Sequence, residues 1–96
     1  MENQIYLITL FDYYGELLTD KQKQYFKDYY FDNLSLGEMR ENYQVSRNAI
    51  HKAIKETCEK LNFYEEKLKL YDKKKKLEKL ISSLDEDLKA KITNYI

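Results

Sequence analysis

The 96-residue chain has no proline, no tryptophan, two glycines (Gly15 and Gly37), one cysteine and one histidine. Each shortage closes off a class of protein. A sheet protein of this length needs several tight turns, and such turns draw on Gly and Pro. Sandwiches and barrels are therefore disfavoured, and an all-α fold is expected. Cys58 stands alone, so it makes no internal disulfide and no cysteine metal site. One His and one Cys supply no Ser-His-Asp or Cys-His grouping. The two glycines lie too far apart for a phosphate-cradling loop. The expectation is a non-enzymatic chain with no catalytic residue, metal or cofactor. No apolar run approaches the ~18 residues of a membrane span. The opening MENQIYLITLF lacks the basic n-region and cleavage site of a signal peptide. A cytoplasmic setting, with Cys58 reduced and no membrane partner, is the consistent reading.

What the chain does have is charge, unevenly placed. Seventeen Lys and Arg balance seventeen Asp and Glu. That neutrality argues against a tight, non-specific nucleic-acid coat. Yet residues 1–46 carry eight acids against four bases, whereas residues 47–76 carry ten bases against five acids. Residues 77–96 return to four acids against three bases. A basic stretch between acidic flanks is either a solvated helix face or a contact for a polyanion.

Apolar residues recur at helical spacing. Leu7, Leu10, Phe11 and Tyr14 place a first helix over about Asn3–Tyr14, with Leu18 beyond it and Gly15 as its stop. Thr19 and Gln22 form a capping box for a second helix that runs to about Asp32, its aromatic face made by Tyr25, Phe26, Tyr29 and Tyr30; Asn33 can end it. Ser35 and Glu38 repeat the box before a short helix with Leu36, Met39 and Tyr43 inward. Gln44-Val45 interrupts, and Ser46 can cap the next helix. Ile50, Ala53, Ile54, Thr57, Cys58, Leu61, Tyr64, Leu68 and Tyr71 track one side of it. The apolar stripe fails at Lys73–Lys76 and resumes at Leu77. One helix over 47–81 and a break near Asp72 both fit. Ser83 with Glu86 suggests a third box before a final helix bearing Leu84, Leu88 and Ile92. Ten tyrosines and four phenylalanines at such spacing favour core packing over base stacking. Tyr13, Tyr30 and Tyr43 are the ones whose exposure would say otherwise.

The stretch Leu34–Leu61 has the layout of a helix-turn-helix. Leu36 and Met39 anchor the first helix, Val45 plugs the turn, and Ile50, Ala53 and Ile54 bury the second. Arg47, Asn48, His51, Lys52 and Lys55 then face outward. Arg can clamp guanine or phosphate with two bonds, and Asn can pair with adenine. These five are the candidate nucleic-acid-binding residues. His51 lacks partners at metal spacing. Lys73, Lys74, Lys75 and Lys76 form a candidate second basic patch for RNA phosphates or an acidic protein surface.

Leu18–Leu61 resembles the fourth conserved region of bacterial sigma factors, itself a helix-turn-helix. More closely, LLTDKQKQYFKDYYFDNLSLGE, then VSRNAI, then YEEKLKLY resembles the YlxM-like family of small bacterial helix-turn-helix proteins. The likeness extends through about Lys79. It implies an accessory or regulatory role beside the signal recognition particle, through the particle's protein or RNA. Two positions depart from the pattern: Arg40 stands where a small alanine is usual, and Gln44 where the turn usually has Gly or Asn.

The expected architecture is about five helices: a sigma-factor-like or winged-helix-like core over 1–61 and a helical extension over 62–96, forming one structural unit. The extension's stripe either folds back on the core or pairs with a second chain as a symmetric homodimer. Three functions stay open: the particle accessory, a sequence-specific duplex-DNA-binding regulator, and a protein–protein adaptor that has lost nucleic-acid binding.

Overall fold

A computed structural model describes residues 3–96. The expected lack of a leader rests in part on Met1 and Glu2, which lie outside the described residues. Helix α1 spans Gln4–Tyr14. Asn3 precedes it as the cap, its side chain accepting from the N–H groups of Ile5 and Tyr6. A 3₁₀ turn, Gly15–Leu17, leads to Thr19, which closes the expected capping box with Gln22. Helix α2 covers Asp20–Tyr30, slightly shorter than the pattern suggested, because Phe31 caps it and Asn33 turns left-handed at φ 55°. The Ser35–Glu38 box starts α3, Leu36–Tyr43, and Ser46 starts α4, Arg47–Leu68. Helix α5 is Leu70–Ile81 and α6 is Glu86–Thr93.

The described residues thus form six helices and no strand. The helix-turn-helix has no β wing, and of the two expected types the sigma-factor-like one fits. The extra helix arises at Lys69, where the backbone turns left-handed at φ 56°. Of the two alternatives over 47–81, the chain takes the break, three residues before Asp72. The opening amides of a helix have no partner inside it, and here they are met from outside. Glu65 accepts from the N–H of Tyr71 at 3.2 Å and of Asp72 at 3.0 Å, while the Tyr14 hydroxyl accepts from Leu70 N–H at 3.1 Å. The expected Ser83 cap is also corrected. Leu84 N–H bonds back to Ile81, so Ser83 lies in the turn, and Asp85 caps α6 by accepting from Leu88 N–H at 2.9 Å.

Helix α4 is the spine. Its Ile50, Ile54, Thr57, Cys58 and Leu61 are buried against Leu7, Leu10 and Tyr14 of α1, Tyr25, Phe26 and Tyr30 of α2, and Met39 of α3. Each large apolar side chain buried this way contributes about 1.5–3 kcal/mol. The aromatics pack with one another: Phe11 stacks on Phe26 at 4.5 Å with the rings 2° from parallel. Tyr30 is buried, and Tyr13 and Tyr43 are half-buried. None of the three stands free as a stacking platform, which favours the core reading of the tyrosines.

The first turn of α5 packs on α1, with Tyr71 edge-on to Tyr6 at 5.7 Å. Ile96 comes back near Thr9, Tyr13 and Tyr71, so α6 folds back along α5. No described helix is long and apolar enough to cross a membrane.

Candidate nucleic-acid interface

The corner between α3 and α4 is built by local chemistry. Gln44 closes α3 in the left-handed region at φ 57°, and its amide donates to the Glu41 carbonyl at 2.7 Å. Val45 is half-buried beneath the turn. The Ser46 hydroxyl accepts from Ala49 N–H at 3.1 Å, tying off an amide of the new helix and setting its direction. Behind the corner, the Tyr43 hydroxyl donates to the buried carboxylate of Asp28. Gln24 holds the other oxygen of that carboxylate at 2.8 Å. Helix α3 is thereby bonded to α2 just before the turn. Burial, then the Asp28 carboxylate, pushes the Tyr43 hydroxyl up to about 12, so it stays a neutral donor at physiological pH.

Ile50 and Ile54 are fully buried, and their burial fixes the rotation of α4 about its own axis. Arg47, Asn48, His51, Lys52 and Lys55 are consequently all exposed. They share the first three turns of the helix. Farther along, exposed Glu56 and Glu59 change the sign, so this cationic cluster ends at Lys55. The Arg47 guanidinium lies over Gly37: a Cβ built there would meet Arg47 Nη2 at 3.8 Å. Arg47 thus spans the opening turns of both helices. His51 belongs to no group of metal-ligating side chains among the described residues.

One residue was not singled out as a contact by sequence pattern. Arg40 is exposed and lines a shallow hollow with Glu41, Gln44, Val45 and Ser46. Its bulk therefore does not enter the core where a small residue is usual. The available signal was its spacing of seven residues from Arg47 in a basic-poor half of the chain, which is too weak to act on.

The lysine run is differently placed. Lys76 pairs with Asp72 at 3.1 Å, Lys75 sits over the Tyr71 ring at 5.1 Å, and Lys74 is half-buried. Lys73 is exposed. Helix α4 has 22 residues, so at 1.5 Å per residue its far end, beyond which the helix bearing the run begins, lies about 30 Å from Arg47. The two basic clusters do not form one patch.

Comparison with known families decides the kinship. The UPF0122 family of helix-turn-helix proteins, YlxM / p13 like, matches residues 1–95. The chain belongs to this family. The UPF0122 protein lwe1821 of Listeria welshimeri is 52% identical over 82 residues, covering 85% of this chain and 74% of the relative. The UPF0122 protein OB1530 of Oceanobacillus iheyensis is 51% identical over 75 residues, 78% of this chain and 71% of its own length. The UPF0122 protein TTE1463 of Caldanaerobacter subterraneus is 42% identical over 82 residues, 85% and 70% of the two chains. Each match spans most of the UPF0122 chain described here.

Proposed function

We propose that this UPF0122 protein is a non-enzymatic, cytoplasmic accessory of the signal recognition particle, holding the particle's RNA through the corner end of α4. One observation carries the nucleic-acid part: five polar or cationic side chains at 47–55 are all exposed directly after a capped turn, over a helix face that is fully buried. Arg47 and Asn48 meet the ligand first, and His51, Lys52 and Lys55 follow the phosphate backbone. Arg40 adds a cation on the α3 side. The particle itself comes from the resemblance to the YlxM-like family. The test is a binding titration of the full chain against the particle RNA, against its targeting GTPase, and against duplex DNA from the chain's own upstream region. Saturable binding to the RNA with affinity falling as salt rises supports the proposal.

A second reading, a duplex-DNA-binding regulator, is favoured by the position of Arg47 and Asn48 in the first turn, where base edges are met in a major groove. Preference for one duplex over the particle RNA would select it. The third reading, an adaptor without nucleic-acid binding, is favoured by zero net charge and would be selected by absence of binding to the RNA, the duplex and the GTPase alike; binding to the GTPase alone would keep the accessory role through the particle's protein.

A further inference from the structure

Helix α6 buries none of its residues, and α5 buries only Ile81. Along α5, Leu70, Lys73, Leu77 and Leu80 recur at alternating three- and four-residue steps, which is one stripe of a helix. That stripe is open: Leu70 is 43% exposed and Leu80 76%, and Tyr95 beside it is 90% exposed. Tyr13, Leu70, Lys73, Lys74, Leu77 and Tyr95 line a shallow, mainly apolar groove between α1, α5 and the end of the chain. Contiguous apolar surface left in water marks a contact site more often than it marks packing that failed.

Charge selects the occupant. Lys73 sits in the stripe itself, and neither it nor Lys74 has an ion pair among the described residues. Lys69 and Lys79 are exposed on the same helical segment. Segment 70–81 carries five lysines against two acids, Asp72 and Glu78, so a twofold contact between two copies of it would bring two surfaces of net positive charge together. A flat lipid surface would leave the groove unfilled. A helix with an apolar stripe edged by carboxylates satisfies both the groove and the lysines. We propose that the α5 groove docks an amphipathic helix of a partner protein whose apolar stripe is bordered by Asp and Glu. The groove lies at the far end of α4 from Arg47, so both surfaces can be occupied together, and this docking stands or falls independently of the nucleic-acid reading.

The test uses the full chain and two fluorescent synthetic helices of about five turns. Both carry one leucine stripe; one is edged with Glu and the other with Lys. By fluorescence anisotropy the Glu-edged peptide binds, and the Lys-edged peptide binds at least about tenfold more weakly. Lys73→Glu with Lys74→Glu, and separately Tyr95→Ser, each weaken the Glu-edged peptide about tenfold. Circular dichroism melts that match the parent show that these variants remain folded. Absence of binding, or equal binding of both peptides, overturns the proposal. So does a concentration-dependent dimer in sedimentation equilibrium that Tyr95→Ser dissolves, which would make a second copy the occupant. Co-sedimentation with phosphatidylserine vesicles in preference to the peptide would overturn it as well.

Discussion

The Tyr14 hydroxyl donates to the Glu65 carboxylate at 2.6 Å, across 51 positions of chain. Both groups are buried. The same hydroxyl accepts from Leu70 N–H, and the same carboxylate accepts from Tyr71 and Asp72. Two side chains from α1 and α4 therefore cap α5, whose own preceding residue, Lys69, makes no side-chain cap. This pair fixes the bend that sends the extension back over α1. Burial, then the hydrogen bond to Glu65, pushes Tyr14 up to about 12.

Tyr14 and Tyr43 predict an alkaline limit to stability. Each has a folded pKa of about 12, above the ordinary value near 10. A group raised in this way contributes fully below pH 10, and its contribution is lost as pH rises through 12. Urea unfolding at pH 7 and pH 11 checks this. The fall between them is expected to be shallower in Tyr14→Phe with Tyr43→Phe, by up to about 1.4 kcal/mol per pH unit for each tyrosine removed. At pH 7 each single variant is less stable by about 1–2 kcal/mol, because a buried carboxylate loses a donor. An unchanged alkaline slope would sink the assignment.

At the interface, Arg47→Ala is expected to weaken nucleic-acid binding by about 1–3 kcal/mol and to leave the melting temperature within a degree or so, since the side chain is exposed. Lys52→Gln with Lys55→Gln should instead flatten the plot of log affinity against log salt by about two contacts. Glutamines at 73–76 should leave that slope alone, because those lysines lie at the other end of α4. Titrations at several salt concentrations separate the three outcomes.

Gln44 offers a stabilising change. An L-residue in the left-handed region costs about 1–2 kcal/mol; the side-chain bond to Glu41 returns part of this. Gln44→Gly should raise stability by about 0.5–1 kcal/mol, seen as a higher urea midpoint with the same slope. Binding should not change, because the turn keeps its geometry. A lower midpoint would mean that the Gln44 amide contributes more than the backbone strain.

Gly15 should resist the exchange that helical φ values normally tolerate. Its φ is −55°, which suits alanine. A Cβ there, however, meets the Phe11 ring at 3.2–3.3 Å. That ring cannot retreat freely, being stacked on Phe26 and edge-on to Phe31 at 5.7 Å. Gly15→Ala is expected to destabilise the fold by about 1 kcal/mol, measurable by chemical denaturation.

The corner residues were legible because their signals are local. Ser35 with Glu38, and Ser46 three residues before Ala49, are short-range bonds that any chain with this spacing makes. The rotation of α4 followed from Ile50 and Ile54, and with it the exposure of Arg47–Lys55. The break at Lys69 was legible only as one of two alternatives, and not at its exact place. No glycine or proline marks it, and the amides it frees are met by Glu65 together with Tyr14, which is far away in the chain. Ser83 misled because its spacing to Glu86 copies a true box, while the backbone turn at Leu84 leaves Asp85 as the cap.

By itself the sequence determined about five apolar rhythms, the caps at Thr19, Ser35 and Ser46, and the face that α4 shows to solvent, since these depend on neighbours within one helical turn. Only the tertiary structure decided where α4 stops, which lysines stay unpaired and which leucines remain in water. Those outcomes depend on contacts between residues far apart in the chain, and no local spacing encodes them.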